Sequence, residues 1–266
     1  TDIETIARTK AGIVKQGSTV VTAAQDSAAL VELVEAAERE DARIFVSARD
    51  FDVTEDLLAV GGRQVSLRGL HGHEYDPAFV PLYGAHQAQN VSLAVAAVEA
   101  FFGAERPLPE EVLDEGLGGL TSPGRLQLIG NEPIVYVDAA HNPHGAEALA
   151  RAVTESFAFT ELALVTGMMA DKDAEGVLAA LLPITDALFL SPVDSARTLG
   201  VEDLYQVSGR FERDGITEVS ESLTEALDAA REWAGQSDGR AVLVAGSVLL
   251  AGEAILCSRN EGWGIA

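Results

Sequence analysis

The chain has 266 residues, 47% apolar and 23% charged, which suits one large or two modest globular domains with a sizeable core. With 42 acidic against 18 basic residues its net charge is -24, which disfavours nucleic acid and anionic lipid, since both bind through Lys and Arg. No apolar run reaches the about 18 residues of a membrane span, and a single cysteine, Cys257, excludes an intrachain disulfide and a multi-cysteine metal site, in keeping with a cytosolic compartment.

The start, Thr1-Asp2-Ile3-Glu4, has no basic-then-apolar signal pattern. It reads as the middle of a helix that closes at Gly12, as though the chain began partway into a longer protein. Val20-Val21 predicts a short strand, and Asp26 predicts the cap of a helix through Leu30, Leu33 and Ala37. Arg43 to Val46 is a second strand. The stretch Phe51 to Arg68, broken at Gly61-Gly62, predicts a hairpin, followed by a polar loop. His86 to Phe102 predicts a long helix burying Val91, Leu93, Ala94, Ala97 and Val98.

The second half is more regular. Apolar runs at 134–137, 162–165, 187–190 and 241–244 alternate with helical patterns, and Asn142-Pro143 and Asp173 open two of those helices. Such alternation predicts a parallel sheet with helices on both faces. A domain boundary is expected near Thr121-Ser122-Pro123-Gly124, dividing the chain into 1–121 and 122–266.

In a parallel α/β sheet, ligands gather beyond the carboxyl ends of the strands. There the sequence places Asp138-Ala139-Ala140-His141-Asn142-Pro143, Gly167 to Asp173 and Gly246-Ser247. Capping explains Asn142 and Pro143 but not Asp138 and His141, three residues apart on one tight turn. Arg125 follows the Pro123-Gly124 turn at the expected hinge, where an arginine can reach a phosphate. His86, Gln87 and Asn90 open the long helix, and capping is the simplest account of them. Lys10 suits a helix C-terminus, where its charge complements the dipole. His71 and His73 form an H-x-H pair with no third metal ligand nearby. Lys172 and Arg197 have the charge to bind a carboxylate, and nothing else in the sequence singles them out.

In order, these pieces are Ile6-Ala7-Arg8-Thr9-Lys10-Ala11-Gly12-Ile13, His86-Gln87 with Asn90, Pro123-Gly124-Arg125, Asp138 to Pro143, Gly167 with Asp171-Lys172-Asp173, and Gly246-Ser247. Their order and spacing resemble the folylpolyglutamate synthase/dihydrofolate synthase branch of the Mur ligase superfamily over almost the whole chain. The resemblance implies an α/β architecture: the remainder of a P-loop-type central ATPase domain over 1–121, then a Rossmann-like glutamate-ligase domain over 122–266. It implies an ATP- and Mg2+-dependent ligase that joins L-glutamate to dihydropteroate or a folate through an acyl phosphate, acting as a cytoplasmic monomer with no nucleic acid or membrane partner.

By the same resemblance, Asn90, Arg125 and Asp138 fall on ATP-contacting positions, with Arg125 toward phosphate and Asn90 and Asp138 toward the nucleoside. His141 and Ser247 fall where the incoming glutamate or the nearby phosphate binds. Lys10 matches a lysine that is carbamylated and helps hold Mg2+, and His141 and that lysine are the expected catalytic groups. Thr9 departs from the family, which usually has Glu there. No G-x-x-G-K segment is present, so a P-loop is expected upstream of Thr1, and the chain by itself is expected to be inactive. The alternatives are another Mur-type amino-acid ligase acting on a cell-wall precursor, and a non-catalytic glutamate- or nucleotide-binding module.

Overall fold

A computed structural model describes residues 2–103 and 107–263. The chain divides after Thr121 into two compact units.

The first unit opens with α1 (Ile3–Ala11), β1 (Thr19–Thr22), α2 (Ser27–Arg39) and β2 (Arg43–Val46), with β1 and β2 paired in parallel. The expectation of a start within a helix is not met. Asp2 is the N-cap of α1, its Oδ1 accepting from the Thr5 amide at 2.8 Å, so the helix begins with its own stop signal against fraying. Asp26 caps α2 as expected, accepting from the Ala28 amide at 2.9 Å. A three-stranded antiparallel sheet follows, β3 (Asp52–Ala59), β4 (Gly62–Arg68) and β5 (Glu74–Val80), then α3 (Ala85–Phe101) and α4 (Glu110–Gly118).

Two expectations change here. The polar loop after the hairpin contains β5, whose Tyr75, Ala78 and Val80 are buried against α3 and α4. Pro77 disguised it: proline is tolerated on an edge strand or at a bulge, and the β4–β5 register slips between Val65 and Leu67 beside it. Helix α3 buries Ala88, Val91, Ser92, Val95, Ala96 and Glu99, whereas Ala94, Ala97 and Val98 face solvent. Apolar side chains surround this helix, so their spacing cannot choose a face. The choice falls to Glu99, which accepts from the Leu70 amide at 2.7 Å and from the Tyr75 hydroxyl at 2.6 Å.

The second unit is a six-stranded sheet. In chain order it runs β6 (Gln127–Asn131), β7 (Ile134–Val137), α5 (Pro143–Ser156), β8 (Glu161–Thr166), α6 (Ala174–Leu181), β9 (Ala187–Leu190), α7 (Val201–Ser208), β10 (Thr217–Val219), α8 (Leu223–Gly235), β11 (Arg240–Ala245) and α9 (Val248–Glu261). The spatial order is β10-β9-β8-β11-β7-β6, parallel except that β6 runs antiparallel to β7. Strands β8, β9 and β11 are buried almost throughout, as a sheet covered on both faces requires. β6, α7 and β10 gave no clear periodic signal. β10 is an exposed three-residue edge strand, and its pattern carries no buried face to read.

Helices α5, α6 and α7 pack side by side, while α8 and α9 form a second group. Right-handed crossovers account for this. The chain moves outward from β7 through β8 and β9 to β10, then returns to β11 between β7 and β8, and reversing direction changes the face on which helices lie. Helix α5 therefore leaves β7 over one face, and α9 leaves the adjacent β11 over the other.

Candidate functional site

The crevice between α5 and α9, beyond the carboxyl ends of β7 and β11, is the topological switch point at which ligands of open α/β sheets bind. Three turns meet there. The β7 turn, 138–142, leads into α5, whose N-cap Asn142 accepts from the Gly145 amide at 2.9 Å with Pro143 in the first turn. The β11 turn leads into α9 through its N-cap Ser247, whose Oγ accepts from the Leu249 amide at 3.2 Å. Gly246 between them has φ +123°, and a Cβ there would stand 2.5 Å from Thr166 Oγ1, so only glycine fits without displacement. The Gly246 amide donates to the Ala140 carbonyl at 2.9 Å, tying the two turns together.

The third turn carries Arg125. Gly124 has φ +71°, its carbonyl accepts from the Ala139 amide at 2.7 Å, and its amide donates to Gln127 Oε1 at 2.9 Å. The Arg125 guanidinium is exposed and forms no ion pair among the described residues. A cation left free on so acidic a surface is available to an anionic ligand.

Asp138 is buried. Its Oδ2 accepts from the Leu126 amide and its Oδ1 from the Ala140 amide, both at 2.8 Å. Burial pushes its carboxyl above the ordinary aspartate range, while the Ala140 and Leu126 amides and the Arg125 charge pull it back. His141 is half-buried, with Nδ1 at 2.9 Å from the Ala139 carbonyl. A carbonyl only accepts, so Nδ1 carries a proton, and of the two neutral tautomers this contact selects the one with its lone pair on Nε2. Ser247 is buried, with its oxygen engaged in the cap but its hydroxyl proton still to place.

The other sequence candidates lie elsewhere. In the β8 turn Lys172 pairs with Asp171 at 3.3 Å, and Arg197 is exposed with its carbonyl accepting from the Ala170 amide at 2.9 Å. A cavity of about 570 Å³ opens beyond β9 and α8, but Asp194, Glu221 and Glu253 line it, and their charge opposes an anionic ligand. In the first unit, Asn90 is exposed on α3, with its Nδ2 donating to the buried Gln87 Oε1 at 3.1 Å. The helix is capped by Gly84 without a side chain, so capping does not account for His86, Gln87 and Asn90. Lys10 is exposed in the last turn of α1. His73 rests edge-on against Tyr75, with ring centroids 4.6 Å apart.

Three contributors were not legible beforehand. Leu126 takes φ +44° in the Arg125 turn, Gln127 braces that turn through its side chain, and the buried Thr166 hydroxyl lies under Gly246 with no hydrogen-bond partner. Leucine at a left-handed position carries no sequence signal. A Gly-Ser step after a strand was the available hint for the Gly246 turn.

Residues 124–248 match the Mur ligase, glutamate ligase domain family. Over 95% of its length the chain is 38% identical to the dihydrofolate synthase/folylpolyglutamate synthase of Mycobacterium tuberculosis, covering 56% of that protein. It is 35% identical to the Bacillus subtilis protein of the same name over 77% of this chain and 48% of that protein. The chain thus spans about half the length of the curated relatives it matches. The solved Mycobacterium tuberculosis folylpolyglutamate synthase complexed with ADP superposes over the entire chain with a TM-score of 0.91 and 36% identity, covering 60% of that chain.

Proposed function

The chain belongs to the folylpolyglutamate synthase family of the Mur ligase superfamily, and from that premise we propose that it is part of an ATP-dependent ligase adding L-glutamate to dihydropteroate or a folate. The observation that carries this reading is the meeting of the Arg125, His141 and Ser247 turns at the β7–β11 switch point. The ADP in the solved relative supports a nucleotide as one ligand.

The chemistry joins two groups that do not react unaided, because a carboxylate is a poor electrophile. Its oxygen attacks the γ-phosphorus of ATP, ADP leaves, and an acyl phosphate forms. The glutamate amine then attacks the acyl carbon, the tetrahedral intermediate collapses, and phosphate departs with the C–O bond. Arg125 would hold the phosphoryl oxygens and Asp138 would contact the nucleoside, while Asn90, in the first unit, would be a nucleoside contact on the family resemblance alone. Glutamate reaches the site as an ammonium and must lose a proton to become a nucleophile. His141 Nε2 would accept it, and the Ser247 hydroxyl would donate to the glutamate carboxylate or the leaving phosphate.

Mg2+ supplies charge neutralisation on the phosphates when bound. Among the described residues no group of three or more His, Cys, Asp or Glu side chains is placed to hold a metal, so Lys10 as a carbamate is the one group here that would help hold it. Residues 1–121 would then complete an ATPase domain whose P-loop this sequence does not contain, and the chain by itself would not turn over ATP. The enzyme would work as a monomer in the cytoplasm.

The test is ADP release by the parent enzyme given dihydropteroate or a folate with glutamate, against a muramyl precursor with its amino acid. Turnover only with the muramyl pair sinks the folate reading. Robust ATP turnover by the pure 266-residue chain sinks the reading of it as part of the catalytic unit.

A further inference from the structure

Arg125 stands between two residues in the left-handed region, Gly124 at φ +71° and Leu126 at φ +44°. Glycine takes that conformation freely, but leucine rarely does, and something must hold it there. Two features do so. The Leu126 side chain is buried, and its amide donates to Asp138 Oδ2 at 2.8 Å. The second oxygen of the same carboxylate accepts from the Ala140 amide at 2.8 Å, inside the turn that carries His141. That turn is held further by the Ala140 carbonyl on the Gly246 amide at 2.9 Å and the Ala139 carbonyl on His141 Nδ1 at 2.9 Å. One buried carboxylate is thus common to the backbone that aims the guanidinium and the backbone that aims the imidazole.

We infer that Asp138 is a positioning residue: it fixes Arg125 and His141 relative to each other through the Leu126 and Ala140 amides, and so governs phosphate binding even by a ligand with no nucleoside. The inference rests on the reading above only in taking Arg125 as the phosphate-facing group. It is separate from any contact Asp138 makes with a nucleoside, because such a contact would leave a nucleoside-free ligand unaffected.

The test uses the full chain, Asp138→Asn, and inorganic tripolyphosphate as the probe. Asparagine keeps the shape but offers one acceptor and one donor, so one of the two amides faces an N–H instead of an oxygen. Amide exchange at Leu126 or Ala140 is expected to quicken by roughly tenfold or more, as loss of a charged hydrogen bond implies, while exchange in β8 and β9 stays unchanged. Tripolyphosphate affinity is expected to fall, and to fall by less than about twofold when Asp138→Asn is added to Arg125→Ala, since residues acting through one another do not add. Full additivity of the two substitutions, or unchanged exchange at both amides, overturns the proposal.

Should the variant fail to fold, hydrogen-bond scalar couplings from the Leu126 and Ala140 nitrogens to the Asp138 carboxyl carbon are readable in the unsubstituted chain, and their absence also overturns it. If the unsubstituted chain and Arg125→Ala bind tripolyphosphate equally, Arg125 as the phosphate group fails. The Asp138 brace is then judged on exchange alone.

Discussion

Beneath the switch-point crevice, Thr166 illustrates how a single side chain is placed by its neighbours. It ends β8, is fully buried, lies against Gly246, and its hydroxyl has no hydrogen-bond partner among the described residues. A buried hydroxyl without a partner costs on the order of 1–3 kcal/mol relative to a satisfied one. Thr166→Val keeps the branched shape and removes the orphan, so the variant is expected to match or exceed the parent by up to about 1 kcal/mol in urea unfolding. A loss of more than about 1 kcal/mol would show that the hydroxyl has a partner in solution, such as an ordered water. His141 shows the same dependence in a functional direction: the Ala139 carbonyl selects its tautomer, and that selection leaves Nε2 free to take a proton.

Between elements, the first unit depends on one polar clamp. Tyr75 in β5 donates to Glu99 in α3 at 2.6 Å, and its oxygen accepts from the Leu108 amide at 2.9 Å, while Glu99 also takes the Leu70 amide. The clamp binds a strand, a helix and the segment entering α4. Burial and the Glu99 carboxylate both push the Tyr75 phenol well above its ordinary range, so it remains a donor at any working pH. Tyr75→Phe leaves Glu99 short of one donor and the Leu108 amide without an acceptor. Hydrogen bonds to charged groups are worth about 1.5–3 kcal/mol, and a loss of that size is expected in urea unfolding followed by circular dichroism. A change under about 0.5 kcal/mol would mean that the apolar cluster of Val65, Leu67, Ala88 and Val91 orders β5 without the clamp.

For the whole molecule, the second unit has the attributes of a free-standing domain. Its core draws on β7, β8, β9, β11, α8 and α9, and every one of those elements lies after Thr121. Residues 122–266 expressed alone are therefore expected to fold and to melt in one cooperative transition. Calorimetry checks this, and a broad transition with no heat peak would place part of the core's stability in residues 1–121. The net charge of -24 belongs to this scale too. It does not help choose the fold, but it makes an unpaired arginine such as Arg125 stand out as a place for an anion.

The features legible in the amino-acid sequence are local ones. Strands β7, β8, β9 and β11 stand out as short apolar runs, and the caps Asp26, Asn142 and Asp173 mark helix starts, because capping involves atoms two or three residues apart. The ordered motifs from Lys10 to Ser247 were enough to indicate the family. The insertion of β11 between β7 and β8, the strand hidden by Pro77 and the buried face of α3 came from tertiary structure. It alone also gave Asp138 its two amide partners, one of them 12 residues away in the chain. Those outcomes depend on which surfaces cover one another and on the handedness of crossovers. Neither is written in the spacing of any one segment.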